Sequence, residues 1–485
     1  MTKHSLSSRA VVWLPYIVAA TFFMEYLDTT VIATALPQMA RSFGIGPNSL
    51  SLGMTAYMLA LAIFIPASGW VADRCGSRTV FFSAIVTFTF ASVLCGLSQN
   101  VTEFTAARLL QGIGGAMMVP VGRLIVVRST EKSRLMQAIS TITWPAIVAP
   151  VIGPPIGGFI TTYASWRWIF LLNVPFGIAV LIAVVALVPN LRGEQPRPLD
   201  VVGLVLSGAT LTALLYGAEI ASQPGSNPWT AAAIFAAGVA LGFIAFAHAK
   251  RHSHPLIDVS TLKIPTFSVT VVTGSVTRIG IGAVPYLMPL LFQIGFGLSA
   301  FKSGLLLLAS ALGNLGMKAL TTQILQRWGF RLVSIVDVAI AAAATIACGL
   351  LTPDLPLAIV LIVVFVYGVT RSMQFSTLAT LAYADVPQAQ MSGASTLWSA
   401  AMQMTQGLGI AFGAVSLRAA AVVNGESSGH LFTLDDFRIA FLLAGVVTLI
   451  SVGGYVQMAR DAGHNVGGGS RRQRVASRSG DRPAR

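Results

Sequence analysis

An all-α polytopic membrane protein with fourteen spanning helices is the fold this sequence predicts, and three observations carry that reading. Of 485 residues, 55% are hydrophobic and 10% are charged, against about 25% charged in a soluble domain. The charges gather in short clusters between apolar runs, and roughly 20 apolar residues suffice for a helix to cross a bilayer. The ten-residue alternation of a membrane barrel is missing from the sequence, which leaves helices as the form that satisfies the backbone in lipid.

Charge, Gly and Pro boundaries place the first seven helices at about 14 to 36, 50 to 71, 79 to 98, 103 to 125, 138 to 161, 168 to 188 and 200 to 220. Seven more follow at about 229 to 248, 267 to 292, 303 to 324, 331 to 351, 356 to 380, 394 to 421 and 437 to 457. Lys3 and Arg9, ahead of an apolar stretch ending Ala33-Thr34-Ala35, imitate a cleavable signal. Glu25 and Asp28 within that stretch argue against cleavage, so it reads as a retained first helix. Cys75, Cys95 and Cys348 have neither metal-site nor disulfide spacing.

Fourteen spans return the chain to the side on which it began. Lys3, Arg9, Arg74, Arg78, Arg128, Lys132, Arg134, Arg192, Arg197, Lys250, Arg251, Lys263, Arg327 and Arg331 fall on that side, against Arg41, Arg167, Lys302, Arg418 and Arg438 opposite. The positive-inside rule then makes both termini cytoplasmic. Residues 461–485 read as a disordered basic tail lying near anionic headgroups. The net charge of +14 is accounted for by topology and tail, without nucleic acid as a partner.

The loop after helix 2, Asp73-Arg74-Cys75-Gly76-Ser77-Arg78, is echoed 253 residues later by Gln326-Arg327-Trp328-Gly329-Phe330-Arg331. Both loops lie on the same side after helices of the same direction, as in transporters built from two parallel six-helix halves. The expected division is a first half, 1–188; an inserted two-helix hairpin with its linkers, 189–266; a second half, 267–460; and the tail.

Four segments carry chemistry. In Gly69-Trp70-Val71-Ala72-Asp73-Arg74-Cys75-Gly76-Ser77-Arg78 the glycine permits a tight reversal, while the acid and the arginines supply charge at the interface. Two arginines alone would serve as a topology anchor. The G-x-x-x-D-R-x-G-x-R pattern, however, resembles the loop signature of the major facilitator superfamily. That resemblance implies a conformational latch between the halves, carried here by Gly69, Asp73, Arg74, Gly76 and Arg78.

Helix 1 holds Asp28, and a carboxylate at the bilayer centre costs at least about 2.5 kcal/mol unless it finds a partner, water or a proton. Glu25 lies three residues earlier on the same face. The bland alternative is a single structural salt bridge. L-D-x-T-x-x-x-x-A-L-P, here Leu27 to Pro37, resembles the first-helix signature of the fourteen-helix drug:proton antiporters, with Asp28 at its acidic position and Glu25 outside the signature. Helix 4 carries Arg108-Leu109-Leu110-Gln111-Gly112-Ile113-Gly114-Gly115-Ala116, similar to that family's proton-transfer motif. By depth, Arg108 can reach Asp28, directly or through water, and tune a proton site formed by Asp28 and Glu25. A helix-packing glycine face is the competing reading of the same residues.

Within helix 5 the stretch from Trp144 to Gly158 holds four prolines and three glycines, which favours kinks and close helix approach. Its G-P-x-x-G-G core resembles the antiporter motif, here Pro150, Gly153, Pro154, Gly157 and Gly158, and implies export rather than uptake. The following Ser165-Trp166-Arg167-Trp168-Ile169-Phe170-Leu171-Leu172-Asn173-Val174-Pro175 looks like the start of helix 6 in the same family. The nearest resemblance is to its MdtD-like branch, with the EmrB and QacA types more distant.

In the second half, Arg278, Lys318, Arg371 and Asp337 lie inside spans. Lys318 and Asp337, each about 9 Å from the same end of adjacent helices, are expected to pair. Arg278 and Arg371 are expected to face a central cavity, together with Phe22, Tyr26, Tyr57, Gln111, Met288, Phe292, Met373, Trp398 and Met402 as an adaptable wall.

A phosphate-binding loop of the ATPase type is missing from the sequence, and the six histidines fall in loops, tails or a helix end. The expected function is therefore not enzymatic. It is proton-coupled antiport, exporting small amphipathic molecules across the bacterial inner membrane by alternating access, with protons as coupling ion and no cofactor or metal. The alternatives are a metabolite or lipid exporter on the same fold, and a non-transporting membrane sensor. Oligomeric state and a periplasmic adaptor are left open.

Overall fold

Long apolar runs punctuated by Gly, Pro and charge fold into helices because a helix satisfies its own backbone in lipid. A computed structural model describes residues 8–130, 134–192, 198–223, 225–253, 255–387, 390–425, 432–460 and 462–463. The expected disorder of 464–485 falls outside these residues, as do Lys3, Lys132 and Arg197 of the charge comparison.

Among the described residues fourteen helices are long and apolar enough to cross a membrane. They are α1 (Ser8–Phe43), α2 (Ser51–Cys75), α3 (Ser77–Leu97), α4 (Val101–Ser129), α5 (Leu135–Tyr163), α6 (Trp168–Leu187) and α7 (Val201–Ser222). The series continues with α8 (Pro228–Arg251), α9 (Pro265–Leu290), α10 (Ala300–Trp328), α11 (Phe330–Gly349), α12 (Leu357–Ala384), α13 (Met391–Val423) and α14 (Leu434–Val456). A break at Leu172 interrupts α6, and a π-helical turn, Leu291–Gly295, extends α9. Helix α5 stays continuous through its four prolines.

Helix pairing repeats with a period of eight helices. In the first six, α1 packs on α5, α2 and α3 on α4, and α6 on α1 and α3. In the last six, α9 packs on α13, α10 and α11 on α12, and α14 on α9 and α11. Two seams join the sets, α2 against α13 and α5 against α10, and a shift of eight helices exchanges them. Between the sets, α7 and α8 form a hairpin in which α7 leans on both α2 and α13.

The repeat extends to single contacts. Gly112 crosses α2 at the Tyr57 carbonyl, and Gly368 crosses α10 at the Ser310 carbonyl; a Cβ at either glycine would overlap that backbone. Arg78 donates from Nη2 to the Val185 carbonyl at the end of α6, and Arg331 donates in the same way to Val456 at the end of α14, both at 2.6 Å. The preceding loop glycines, Gly76 and Gly329, have φ of 93° and 74°, a region that only glycine enters without strain.

Candidate functional site

Asp28 needs partners because a buried unpaired charge is costly, and two helices supply them. Arg108 Nη1 of α4 donates to Asp28 Oδ2 at 2.5 Å, with about 1% of either side chain exposed. Gln111 Nε2, one turn along α4, donates to Asp28 Oδ1 at 2.9 Å, and Asn173 Nδ2 of α6 donates to the same oxygen at 3.0 Å. Ser92 of α3 accepts from both amides, at 2.8 and 3.3 Å. Gln111 Oε1 accepts from Arg108 Nη1 at 2.6 Å, and the guanidinium stacks on the Tyr57 ring at 4.2 Å. The negative charge thus meets one cation and two amides, the geometry that makes a buried ion pair tolerable.

Glu25 lies beside this cluster but outside its bonding. Its Oε2 has no hydrogen-bond partner, nor does the nearby Tyr57 hydroxyl. It borders a cavity of about 1130 Å³, together with Tyr26 and Thr29 of α1 and Arg123 of α4. The opposite wall includes Phe375, Tyr383, Trp398 and Met402 of α12 and α13. Asp73, Asp200, Asp258 and Gly393 border the end of the cavity on the face carrying both chain ends, called here the terminal face.

At the other face the two six-helix sets meet. Gly153 and Gly157 of α5 abut Thr30 and the Val31 carbonyl of α1, while Gly158 abuts the Ala300 carbonyl of α10. A Cβ on Gly304 would overlap the Pro154 carbonyl. Around this seam Thr162 Oγ1 accepts from the Phe301 N–H at 3.0 Å, and Gln293 Nε2 donates to the Thr34 carbonyl at 3.0 Å. Pro150, Gly153, Pro154, Gly157 and Gly158 thus lie on the helix that joins α1 and α10, and the small residues permit the close approach.

Several expectations are corrected. Lys318 and Asp337 do not pair: Lys318 is exposed on α10, while Asp337 is buried with its Oδ2 unpartnered. Their helices turn them to different surroundings, with Gln374 of α12 beside the Asp337 carboxyl. Of the expected cavity wall, Tyr26, Trp398 and Met402 border the cavity. Phe22, Tyr57, Gln111, Met288, Phe292 and Met373 are instead buried between helices, each at most 2% exposed. Arg278 also does not border it; the guanidinium lies 4.8 Å from the Trp398 ring and Nε donates to Thr405 Oγ1. Arg371 is exposed on α12, one turn from Phe375, and does not border the cavity either.

Among the described residues, Asp73, Arg74 and Arg78 bond or stack within the first set in this conformation. Asp73 Oδ1 lies 2.9 Å from Arg128 Nη1 of α4, Arg78 binds α6, and the Arg74 guanidinium lies 5.6 Å from the Trp70 ring. Gly69 and Asp73 border the open cavity, and Gly76 turns against Asn190. Asp73 and Gly393, near the start of α13, both border the end of the cavity.

Five residues were missed by sequence reasoning. Arg123 and Glu219 are intramembrane charges, a signal that was available. Ser92 carried no signal, and Asn173 was visible only within the helix-6 segment. Asp200 caps α7 and lies with His248 and His252 in a group whose ligand atoms are within 4.8 Å of one another. Its oxygens already accept from the Gly203 and Leu256 N–H groups and pair with His248 Nε2. Burial alone would raise this carboxyl's pKa, but those hydrogen bonds outweigh it and hold the pKa below the usual carboxylate value.

Over residues 18–414 the sequence matches the Major Facilitator Superfamily. The chain belongs to that superfamily. Relatives of this superfamily protein include one from Salmonella heidelberg (strain SL476), provisionally named multidrug resistance protein MdtD. It is 38% identical over 439 residues, 89% of this chain and 93% of the relative. A protein of the same name from Serratia proteamaculans (strain 568) is 38% identical over 443 residues, 90% of this chain and 89% of the relative. Among solved structures, a D-xylose-proton symporter superposes with TM-score 0.65 at 15% identity, covering 93% of this chain and 99% of its own. A POT family transporter in complex with 5-aminolevulinic acid gives TM-score 0.67 at 14% identity, covering 94% and 97%. At such identities the superposition speaks for the fold, a multi-pass transporter fold.

Proposed function

We propose that this transporter exports small amphipathic molecules in exchange for protons, with Asp28, Glu25 and Arg108 as the coupling site. The observation that carries the reading is the pairing of two carboxyl groups one turn apart with different surroundings. Asp28 is tied to Arg108, Gln111 and Asn173, whereas Glu25 has a free oxygen at the cavity wall. A proton reaching Asp28 weakens its bond to Arg108, and an amphipathic cation in the cavity competes with protons for Glu25. Tyr26, Tyr383, Trp398 and Met402 supply the adaptable apolar wall.

The terminal face is the cytoplasmic face of a bacterial inner membrane in this reading, so the conformation is open inward. Residues 1–188 and 267–460 act as two rocking halves, and 189–266 carry the inserted hairpin. The loop from Gly69 to Arg78 latches the halves only when the cytoplasmic end closes. The close α5 seam at Gly157 and Gly158 keeps the outer end shut meanwhile, and the resemblance of this segment to the antiporter motif supports the export direction. No cofactor is required; the partners are the bilayer, the proton and the exported molecule. The names of the MdtD relatives support multidrug export as the substrate class.

Ethidium efflux from re-energised cells tests this reading in wild type, Asp28→Asn and Arg108→Ala, with and without an uncoupler. The expected result is uncoupler-sensitive efflux by wild type that falls at least about tenfold in Asp28→Asn, equivalent to 1.4 kcal/mol. Efflux insensitive to the uncoupler would overturn proton coupling.

A further inference from the structure

The spans of the inserted hairpin contain one acidic residue, Glu219. It lies near the end of α7 away from the terminal face and is fully buried. Glu219 Oε2 accepts from Ser51 Oγ of α2 at 2.8 Å, while Oε1 has no hydrogen-bond partner. None of the ion pairs among the described residues involves it. The carboxyl is therefore an unpaired acid in an apolar setting, a costly state for the anion and an easy one for the neutral acid.

Its surroundings form a seal. Asn48 Nδ2, one turn before Ser51, donates to the Ser222 carbonyl of α7 at 2.9 Å and to the Ala414 carbonyl of α13 at 3.1 Å. Asn48 Oδ1 accepts from the Tyr286 hydroxyl of α9 at 2.8 Å. Each of these bonds joins Asn48 or Ser51, at the start of α2, to the hairpin or to the last six helices. Moving the start of α2 away from α7, α9 and α13 at this face would break them together and uncover Glu219. Tyr286 is the titratable neighbour; Ser51, Asn48 and Gln223 are the polar ones, and no charged group of α2, α8, α9 or α13 acts on the carboxyl. The cavity at the terminal face does not reach it.

We propose that Glu219 is a second proton-binding site, loaded from the non-terminal face and governing closure of the seal at that face. A proton taken from water forms the carboxyl O–H bond and lets Glu219 re-enter the apolar seam. On opening, that bond breaks and the proton returns to water on the same side. Protons at this face thereby favour closure, which in the antiport reading above is the step that returns the cavity inward. The site rests on that reading for its place in the cycle, not for its existence.

The test uses the full chain in nanodiscs with Cys75→Ser and spin labels at Arg41→Cys and Val423→Cys, both exposed positions. The distance distribution between labels is recorded against pH for this protein and with Glu219→Gln or Glu25→Gln added. The expected closed-to-open ratio rises up to about tenfold per pH unit as pH falls. It should become pH-independent and closed in Glu219→Gln and still titrate in Glu25→Gln. Titration unchanged in Glu219→Gln, a Glu219→Gln seal open at every pH, or no titration in the parent would each overturn the proposal. The spectra contain no transport step, so failed proton-coupled efflux would overturn the antiport reading and leave this result standing.

Discussion

The first and last six helices share a scaffold but not a chemistry. Both cross at a glycine on a backbone carbonyl, Gly112 on Tyr57 and Gly368 on Ser310, and both tie a loop arginine to the end of their sixth helix. The acid in the first set is bonded by Arg108, Gln111 and Asn173. In the second set buried Asp337 has an unpartnered oxygen, and half-buried Arg278 stacks on Trp398 instead. The two sets share what backbone geometry demands, close crossings and turn glycines, whereas their side-chain clusters differ. In the proposed antiport reading the coupling chemistry lies in the first half, with the second supplying part of the cavity wall.

The strongest way to break this contrast is Arg108→Ala, which strands a buried Asp28. Removing one partner of such a pair costs about 3–5 kcal/mol, to be read as a large loss of thermal stability of the purified protein. An equal loss in Arg278→Ala would erase the asymmetry. Gly112→Leu and Gly368→Leu sharpen the shared part: both should lose about 3 kcal/mol, the upper end of overpacking, because the obstacle is backbone. Unequal losses by urea or thermal unfolding would show that the crossings are not equivalent.

A smaller effect concerns the hairpin. Asp200→Ala should cost about 1 kcal/mol as a lost cap, with a definite pH dependence. The Asp200 pKa is lower folded than unfolded, so its contribution is complete above the unfolded value of about 3.9 and lost as pH falls through the folded value. The stability gap between wild type and Asp200→Ala should hold from pH 7 to about 5 and shrink below about 4; a gap that widens on acidification would contradict the assignment. The smallest effect is Lys318→Met, within about 0.5 kcal/mol because the side chain is exposed and unpaired. A clear loss in unfolding experiments would restore the discarded Lys318–Asp337 pair.

The spans were legible because apolar length is a direct requirement of lipid. Their ends were less so: α1 runs from Ser8 to Phe43, beyond the expected 14 to 36, since a helix continues past Pro37 where hydropathy falls. The Asp28–Arg108 meeting was readable because few charges are admitted to a membrane and depth along a helix follows from residue number. Direction around the helix was harder. Phe22, Met288 and Phe292 are apolar in the same way whether they face lipid, a cavity or another helix, so the sequence carried no mark separating them from Tyr26 or Trp398. Lys318 and Asp337 failed for the same reason, because residue number does not say which way a side chain faces. Glu219 was within reach as an intramembrane acid but lay at a span boundary, where carboxylates are common.

Proton release on substrate binding tests the central claim most directly. Purified protein in weakly buffered detergent solution is mixed with ethidium at saturating concentration while a pH indicator counts released protons, for wild type, Glu25→Gln and Asp28→Asn. The account predicts release by wild type and a marked reduction in both variants while ethidium still binds. Ethidium binding by wild type without proton release, or the same release from both variants, would contradict it.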